Sequence, residues 1–194
     1  MTPQLLLHHF DRISNAPDAI PCLRRFILDL AVRGKLVEQD PRDEPASELL
    51  KRIQAEKERL VKTGEIRKVN PFPRIEADEI LFPSSAGWEW VRIRQVTSDH
   101  GQVVPKDDFT YIDVTAIDKE AGRLGDVKVL SASDAPSRAR KFVKTGDVIY
   151  SCVRPYLLNI AIIERDIIPS PIASTAFAVL NGFGLAGIIH DGGQ

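Results

Sequence analysis

The stretch Ala135–Leu180, APSRARKFVKTGDVIYSCVRPYLLNIAIIERDIIPSPIASTAFAVL, decides how this chain is read. Its front is basic: Arg138, Arg140, Lys141 and Lys144 are interleaved with Ala139, Phe142 and Val143. Gly146-Asp147 turns the chain into Val148–Val153, a β-branched and aromatic run with strand character. Arg154-Pro155-Tyr156 ends that strand, because proline has no N–H to give a ladder. Asn159–Ile163 and Thr175–Leu180 read as two further strands. Cations and a tyrosine then sit on the turns of a small sheet, an arrangement suited to gripping a nucleic acid. The competing reading is a solvated charge run ahead of an ordinary strand, with Arg140 paired to Asp147 and Tyr156 in the core.

Composition narrows the classes. The 194 residues suffice for one ordinary domain or two small ones. With 43% hydrophobic and 27% charged residues the chain is globular rather than disordered. A net charge of −1 argues against binding through bulk charge and for a local patch. Arg138, Arg140, Lys141, Lys144 and Arg154 supply that patch, opposed within their span by Asp147 alone. Cys22 and Cys152 lie far apart, and no C-x-x-C or His/Cys cluster points to zinc. Reduced thiols are expected, Cys22 on a helix and Cys152 in a strand core. The adjacent His8 and His9 point about 100° apart on a helix and do not clamp one metal. His8-His9 also interrupts Leu5-Leu6-Leu7, which excludes a typical signal peptide. No stretch reaches the roughly 20 apolar residues of a membrane helix, so a soluble cytoplasmic protein is expected.

Residues 1–68 carry helical patterning. Thr2-Pro3 opens a short helix with Leu6, Phe10 and Ile13 on one side, broken by Ser14–Pro17. Asp18 is the expected cap of the next, whose apolar face is Ile20, Leu23, Ile27, Leu30 and Ala31, ended by Gly34. A third runs from an Asp43 cap to about Lys62, stopped by Gly64. Leu50, Ile53 and Leu60 line its narrow seam, Lys57 interrupts it, and Glu48–Arg52 and Glu58–Lys62 are expected pairs on its flank. Asn70–Pro73 and Phe82–Gly87 then punctuate a Pro-rich linker, residues 69–87. From Trp88-Glu89-Trp90 onward short strands alternate with turns, Tyr111–Val114 and Val127–Leu130 among them, giving a β-rich part at 88–194.

Catalytic patterns are sparse. Asp126-Val127-Lys128, with Asp107, Asp108 or Asp113 upstream, has the form of a Mg²⁺-dependent nuclease site, and it also reads as a turn into a strand. The sequence holds no phosphate-binding glycine loop, and Ser151 has no evident His/Asp partner.

Three blocks in one order resemble a known family. APSRAR, GDVIYSCVRPYL and IASTAFAVL together resemble the target recognition domain of type I restriction–modification specificity subunits. LAVRGKLVEQDPRDEPASELLKRIQAEKERL, Leu30–Leu60, resembles the helical conserved region of the same subunits, and WEWVRI, Trp88–Ile93, their entry into the recognition domain. The resemblance implies an α+β protein: an N-terminal helical, coiled-coil-like segment followed by a β-rich recognition domain. It implies a non-catalytic subunit without cofactor or metal, which directs methyltransferase subunits, and through them the restriction subunit, to a site on double-stranded DNA. Ile20, Leu23, Ile27, Leu30, Leu50, Ile53 and Leu60 are then the partner-binding helix positions. Lys141 and Lys144 become phosphate contacts, Arg138, Arg140 or Arg154 the readers of guanine, and Ser151 and Tyr156 further hydrogen-bonding groups. The sequence departs from the pattern in having one conserved region, one recognition domain and a glycine-rich tail that matches nothing. The recognition domain is therefore expected to be incomplete at its C-terminus, and a homodimer through the helices would restore a two-part site. The alternative is a docking module that no longer reads DNA.

Overall fold

The computed structural model describes residues 7–10 and 18–183, and its architecture is α+β. Most of the expected opening helix and of the glycine-rich tail lies outside those residues. Two units are distinguished: Met1–Arg52 with Pro73–Val91, and Ile53–Phe72 with Arg92–Gln194. Among the described residues no helix is long and apolar enough to cross a membrane.

In the first unit, helix α1 (Ala19–Val32) ends as its glycine requires. Gly34, at φ +62°, donates its N–H to Ala31 O at 3.0 Å, and Lys35 N donates to Leu30 O at 2.8 Å. This is the doubled closure of a left-handed C-terminal cap. The site admits no side chain: a Cβ on Gly34 would lie 2.5 Å from Ser85 Oγ, which donates to Arg33 O at 3.0 Å. At the other end the expected cap fails. Asp18 itself adopts φ 60° and its side chain caps nothing. The predicted apolar face is only partly used, since Leu30 is buried while Ile20 is 72% exposed. Residues 73–87 of the Pro-rich segment read as a linker, together with both tryptophans, contribute to this unit. Trp88 Nε1 donates to Gln39 Oε1 at 2.7 Å, and the Trp90 ring meets Phe82 edge-on at 4.8 Å.

Helix α2 (Ala46–Lys62) begins three residues after Asp43, which was expected to cap it. It ends at Gly64, where Gly64 N donates to Val61 O and Glu65 N to Leu60 O. Of its seam only Ile53 is buried. The expected Glu48–Arg52 pair is replaced by Lys51–Glu48 and Arg52–Glu44, and Glu58 accepts from Gln54 Nε2 at 2.8 Å.

The second unit holds two mixed sheets. The first, in order β4 (Lys128–Leu130), β1 (Phe109–Ile112), β8 (Pro171–Ser174), β5 (Ala139–Phe142), has a parallel β1–β8 pair at its centre. The second is ordered β2 (Ile117–Asp118), β3 (Arg123–Leu124), β7 (Ile160–Ile162), β6 (Val148–Ser151), β9 (Phe177–Leu180). Every residue of β1 and β8 is buried. Ile112 and Ala173 point into a core shared with Ile149, Ala161, Phe177 and Val179 of the second sheet, while Phe109, Tyr111 and Ile172 pack with Ala139. Strands β6 and β9 alternate buried and half-buried residues, the mark of one-sided burial. The expected strand Thr175–Leu180 is thus the second half of a longer feature. Strand β8 precedes it in the other sheet, with Pro171 at the strand's first position where a missing N–H is tolerated.

Two side chains fasten this unit. Lys57, which interrupts the α2 seam, donates through Nζ to the carbonyls of Arg94 (2.7 Å), Gln95 (3.2 Å) and Thr97 (3.3 Å). It thereby closes the C-terminal end of the one-turn helix α3 (Ile93–Val96). Burial, and secondarily the charge of Arg94, holds its ammonium below its usual pKa. The Asp147 carboxylate is wholly buried and lies 3.0 Å from His100 Nε2. It also accepts from Lys144 N at 2.7 Å and from Asn181 Nδ2 at 2.8 Å. Replacing Asp147 with alanine strands these donors in the interior. Urea unfolding should show a loss of about 2–4 kcal/mol, and an unchanged midpoint would contradict its place as the fastening point.

Candidate nucleic-acid interface

The basic run was expected on turns, but the structure makes it strand β5 at the edge of the first sheet. Its charged residues resist the core, and an edge strand is where such residues are accommodated. Ala139 pairs with Ser174 and Lys141 with Ala173, which leaves Arg140 as the extra residue of a β-bulge. The run therefore does not present its cations together.

Two of the predicted contacts are withdrawn from any ligand. Lys141 Nζ is bound to Asp99 Oδ2 at 2.9 Å, with its side chain only 16% exposed. Its charge is already matched within the fold, which corrects the phosphate role expected for it. Ser151 is 1% exposed and donates through Oγ to Val153 O at 3.0 Å, which corrects its expected surface role. The competing pairing of Arg140 with Asp147 does not occur either. Arg140 is half-buried, and its Nη1 donates to Ala139 O at 2.8 Å. Lys144 is exposed, its Nζ 5.6 Å from the centre of the Phe142 ring, beside the Thr145–Asp166 hydrogen bond. It stands beyond the opposite end of β5 from Arg138, at most about 20 Å away at the rise of an extended strand.

Arg138, Arg154 and Tyr156 come together at the other end. The connection between β6 and β7 is closed by Ser151 N donating to Asn159 O at 3.0 Å. Beyond that bond, Cys152–Leu158 are all exposed, so Cys152 is not in a strand core and Tyr156, 74% exposed, is not in the core at all. Cys152 N donates to Ala176 O, and Thr175 N donates to Arg138 O, both at 2.8 Å. The turn at Thr175-Ala176 thus stitches Arg138 to the base of the hairpin loop. The loop is stiff. Pro155–Leu157 form a 3₁₀ turn bracketed by Arg154 at φ 51° and Leu158 at φ 54°. Left-handed backbone at a non-glycine residue costs about 1–2 kcal/mol, and strain of this kind gathers where geometry serves a ligand. Arg138, the loop and the turn contain no carboxylate. Guanidinium forks and a phenol hydroxyl on such an end can bind phosphate oxygens and base edges.

The nuclease arrangement is not assembled. Asp113 accepts from Thr115 N (2.9 Å) and Thr115 Oγ1 (2.6 Å), capping the short turn that follows β1. Asp126 lines an open groove of about 690 Å³ with Asp118, Glu164, Asp166, Arg123 and Arg165. Lys128 lies opposite Tyr111 in the β1–β4 ladder. Among the described residues no three His, Cys, Asp or Glu side chains are grouped to hold a metal ion.

The Asp99–Lys141 pair was not visible in the sequence, and it carries a pH signature. Burial raises the Asp99 carboxyl, but the Lys141 ammonium and the Gly101 N–H outweigh that and hold it below its ordinary 3.8. A depressed carboxyl contributes stability that is present above its unfolded pKa and lost as pH falls through the folded one. Urea midpoints should therefore be insensitive to this pair from neutrality down to about pH 4.5 and fall below that. Asp99→Asn should flatten the acid limb, and an Asp99→Asn profile parallel to the parent would refute the pairing.

No protein-family model matches the chain. It is 39% identical over 157 residues, 76% of its length, to the type I restriction enzyme EcoEI specificity subunit of Escherichia coli. It is 54% identical over 86 residues, 44% of its length, to the EcoAI specificity subunit of the same organism. The chain spans 26% and 15% of the lengths of these two proteins. A solved HsdS subunit from Thermoanaerobacter tengcongensis is 37% identical, with a TM-score of 0.49 over 53% of this chain and 27% of that one. On the strength of the sequence matches, this chain is an HsdS-like protein, related to a part of the type I restriction enzyme specificity subunits.

Proposed function

We propose that this chain selects a DNA site for a type I restriction–modification complex, while partner subunits carry out methyl transfer and cleavage. The observation that supports this most is that Arg138, Arg154 and Tyr156 are exposed together where the β6–β7 hairpin meets the Thr175-Ala176 turn. The similarity to specificity subunits supports it from the side of sequence. In this reading the chain is non-catalytic, cytoplasmic and free of cofactors. Arg138, Arg154 and, from the bulge, Arg140 meet the duplex, and Lys144 lies outside the footprint. The helical part holds modification subunits and, through them, the restriction subunit. The exposure of Ile20 and Ile27 on α1 supports a docking role for that helix. A second copy of the chain on the same helices would pair two recognition units and impose a palindromic target.

Fluorescence anisotropy of the full chain on duplex DNA, titrated over salt, tests the reading. Affinity should fall linearly on a log–log plot, as counterion release demands. Arg138→Ala and Arg154→Ala should each weaken binding to the preferred site by about 1–3 kcal/mol. Lys144→Ala should change it least. Binding that is absent, or indifferent to salt, would contradict DNA reading and leave the docking module.

A further inference from the structure

The hairpin between β6 and β7 carries more than its arginine and tyrosine. Val153, Leu157 and Leu158 are all exposed there, although aliphatic side chains gain nothing from water. Local backbone hydrogen bonds shape the segment that carries them. Leu157 N donates to Arg154 O at 2.9 Å, Leu158 N to Pro155 O at 3.0 Å, and the left-handed backbones of Arg154 and Leu158 hold the two ends. These side chains have Arg154 within their loop and Arg138 across the Thr175-Ala176 turn, and neither the loop nor that turn itself carries an acid. Exposed aliphatic side chains with arginines beside them fit a polyanion that offers an apolar feature. In the DNA major groove one base feature answers that description, the C5-methyl group of thymine.

Resting on the DNA-recognition reading above, we infer that this hairpin reads thymine by apolar contact. Val153, Leu157 and Leu158 supply the contact, and Arg138 and Arg154 anchor the loop to the strands on either side. The chain's target therefore contains at least one thymine whose methyl group is part of the code. This separates the hairpin from the arginines in kind: guanidinium groups read acceptors, whereas the aliphatics read a group that neither donates nor accepts.

The test starts with the full chain selecting duplexes from a randomised library. The recovered site is then rebuilt with deoxyuridine replacing each thymidine in turn, which removes the methyl group and nothing else. At one position or more the affinity should fall about four-fold, the value of one buried methyl-sized group. That loss should vanish in Val153→Ser, Leu157→Ser or Leu158→Asn, whose exposed positions leave the core untouched. A recovered site without thymine, or one indifferent to every deoxyuridine, overturns the inference and leaves the DNA reading standing. A deoxyuridine effect that persists in all three variants removes the hairpin from the role. Selection that enriches no sequence overturns the DNA reading itself, and the inference with it.

Discussion

Burying the Asp147 carboxylate completely is tolerable only because donors from three separate segments converge on it. His100 comes from the segment ahead of the sheets, Lys144 N from the turn between β5 and β6, and Asn181 from the residue after β9. Around it the backbone is doubly tied, with Ser98 and Asn181 exchanging both of their hydrogen bonds and Ile163 N donating to Asp147 O. A buried anion is costly when unpaired and directional when paired, so it admits one arrangement of those segments and rejects near alternatives. The entry to the β-rich unit, the end of its last described strand and the turn in its middle are therefore set by one side chain.

That fixed frame explains how the cations are distributed. With the Asp147 side chain at the end of that turn pinned inside, β5 must run away from it along β8, carrying Arg138 to the far end. Lys141 then faces inward to Asp99, and Arg140 is set apart by the bulge. The surface left for a ligand is made by convergence: an edge strand, the β8–β9 turn and the β6–β7 hairpin meet through two backbone hydrogen bonds. A patch counted along the sequence becomes, in space, two separate ends with different partners.

Much of this was legible in the residues, and the failures have physical reasons. Gly34 and Gly64 were read as helix ends because a left-handed closing residue favours glycine, and both adopt positive φ. Strands β6 and β7 were legible from β-branched content. Strand β5 was not, because alternating charges resemble a loop and only pairing with β8 makes them a strand. Strand β8 was missed, since the expected strand began at Thr175, just after it, and a short run opened by Pro171 gives little local strand signal. Gly146-Asp147 was legible as a turn, with Gly146 at φ +87°. The destination of the Asp147 side chain was not, because His100 and Asn181 lie 47 and 34 residues away. Lys57 looked like a defect in a helix seam; its value lies in carbonyls nearly forty residues on. Local chemistry was readable, and long-range satisfaction of polar groups was not.

What unites the account is that recognition is placed at the hairpin end of the β-rich unit and not along the basic run as a whole. Hydrogen exchange of the full chain, with and without its selected duplex, addresses that placement directly. The account predicts slowed exchange at residues 152–159 and 174–176 and none at 144–147 or 164–167. Protection centred on the Lys144 and Asp166 end, with the hairpin unaffected, would contradict it.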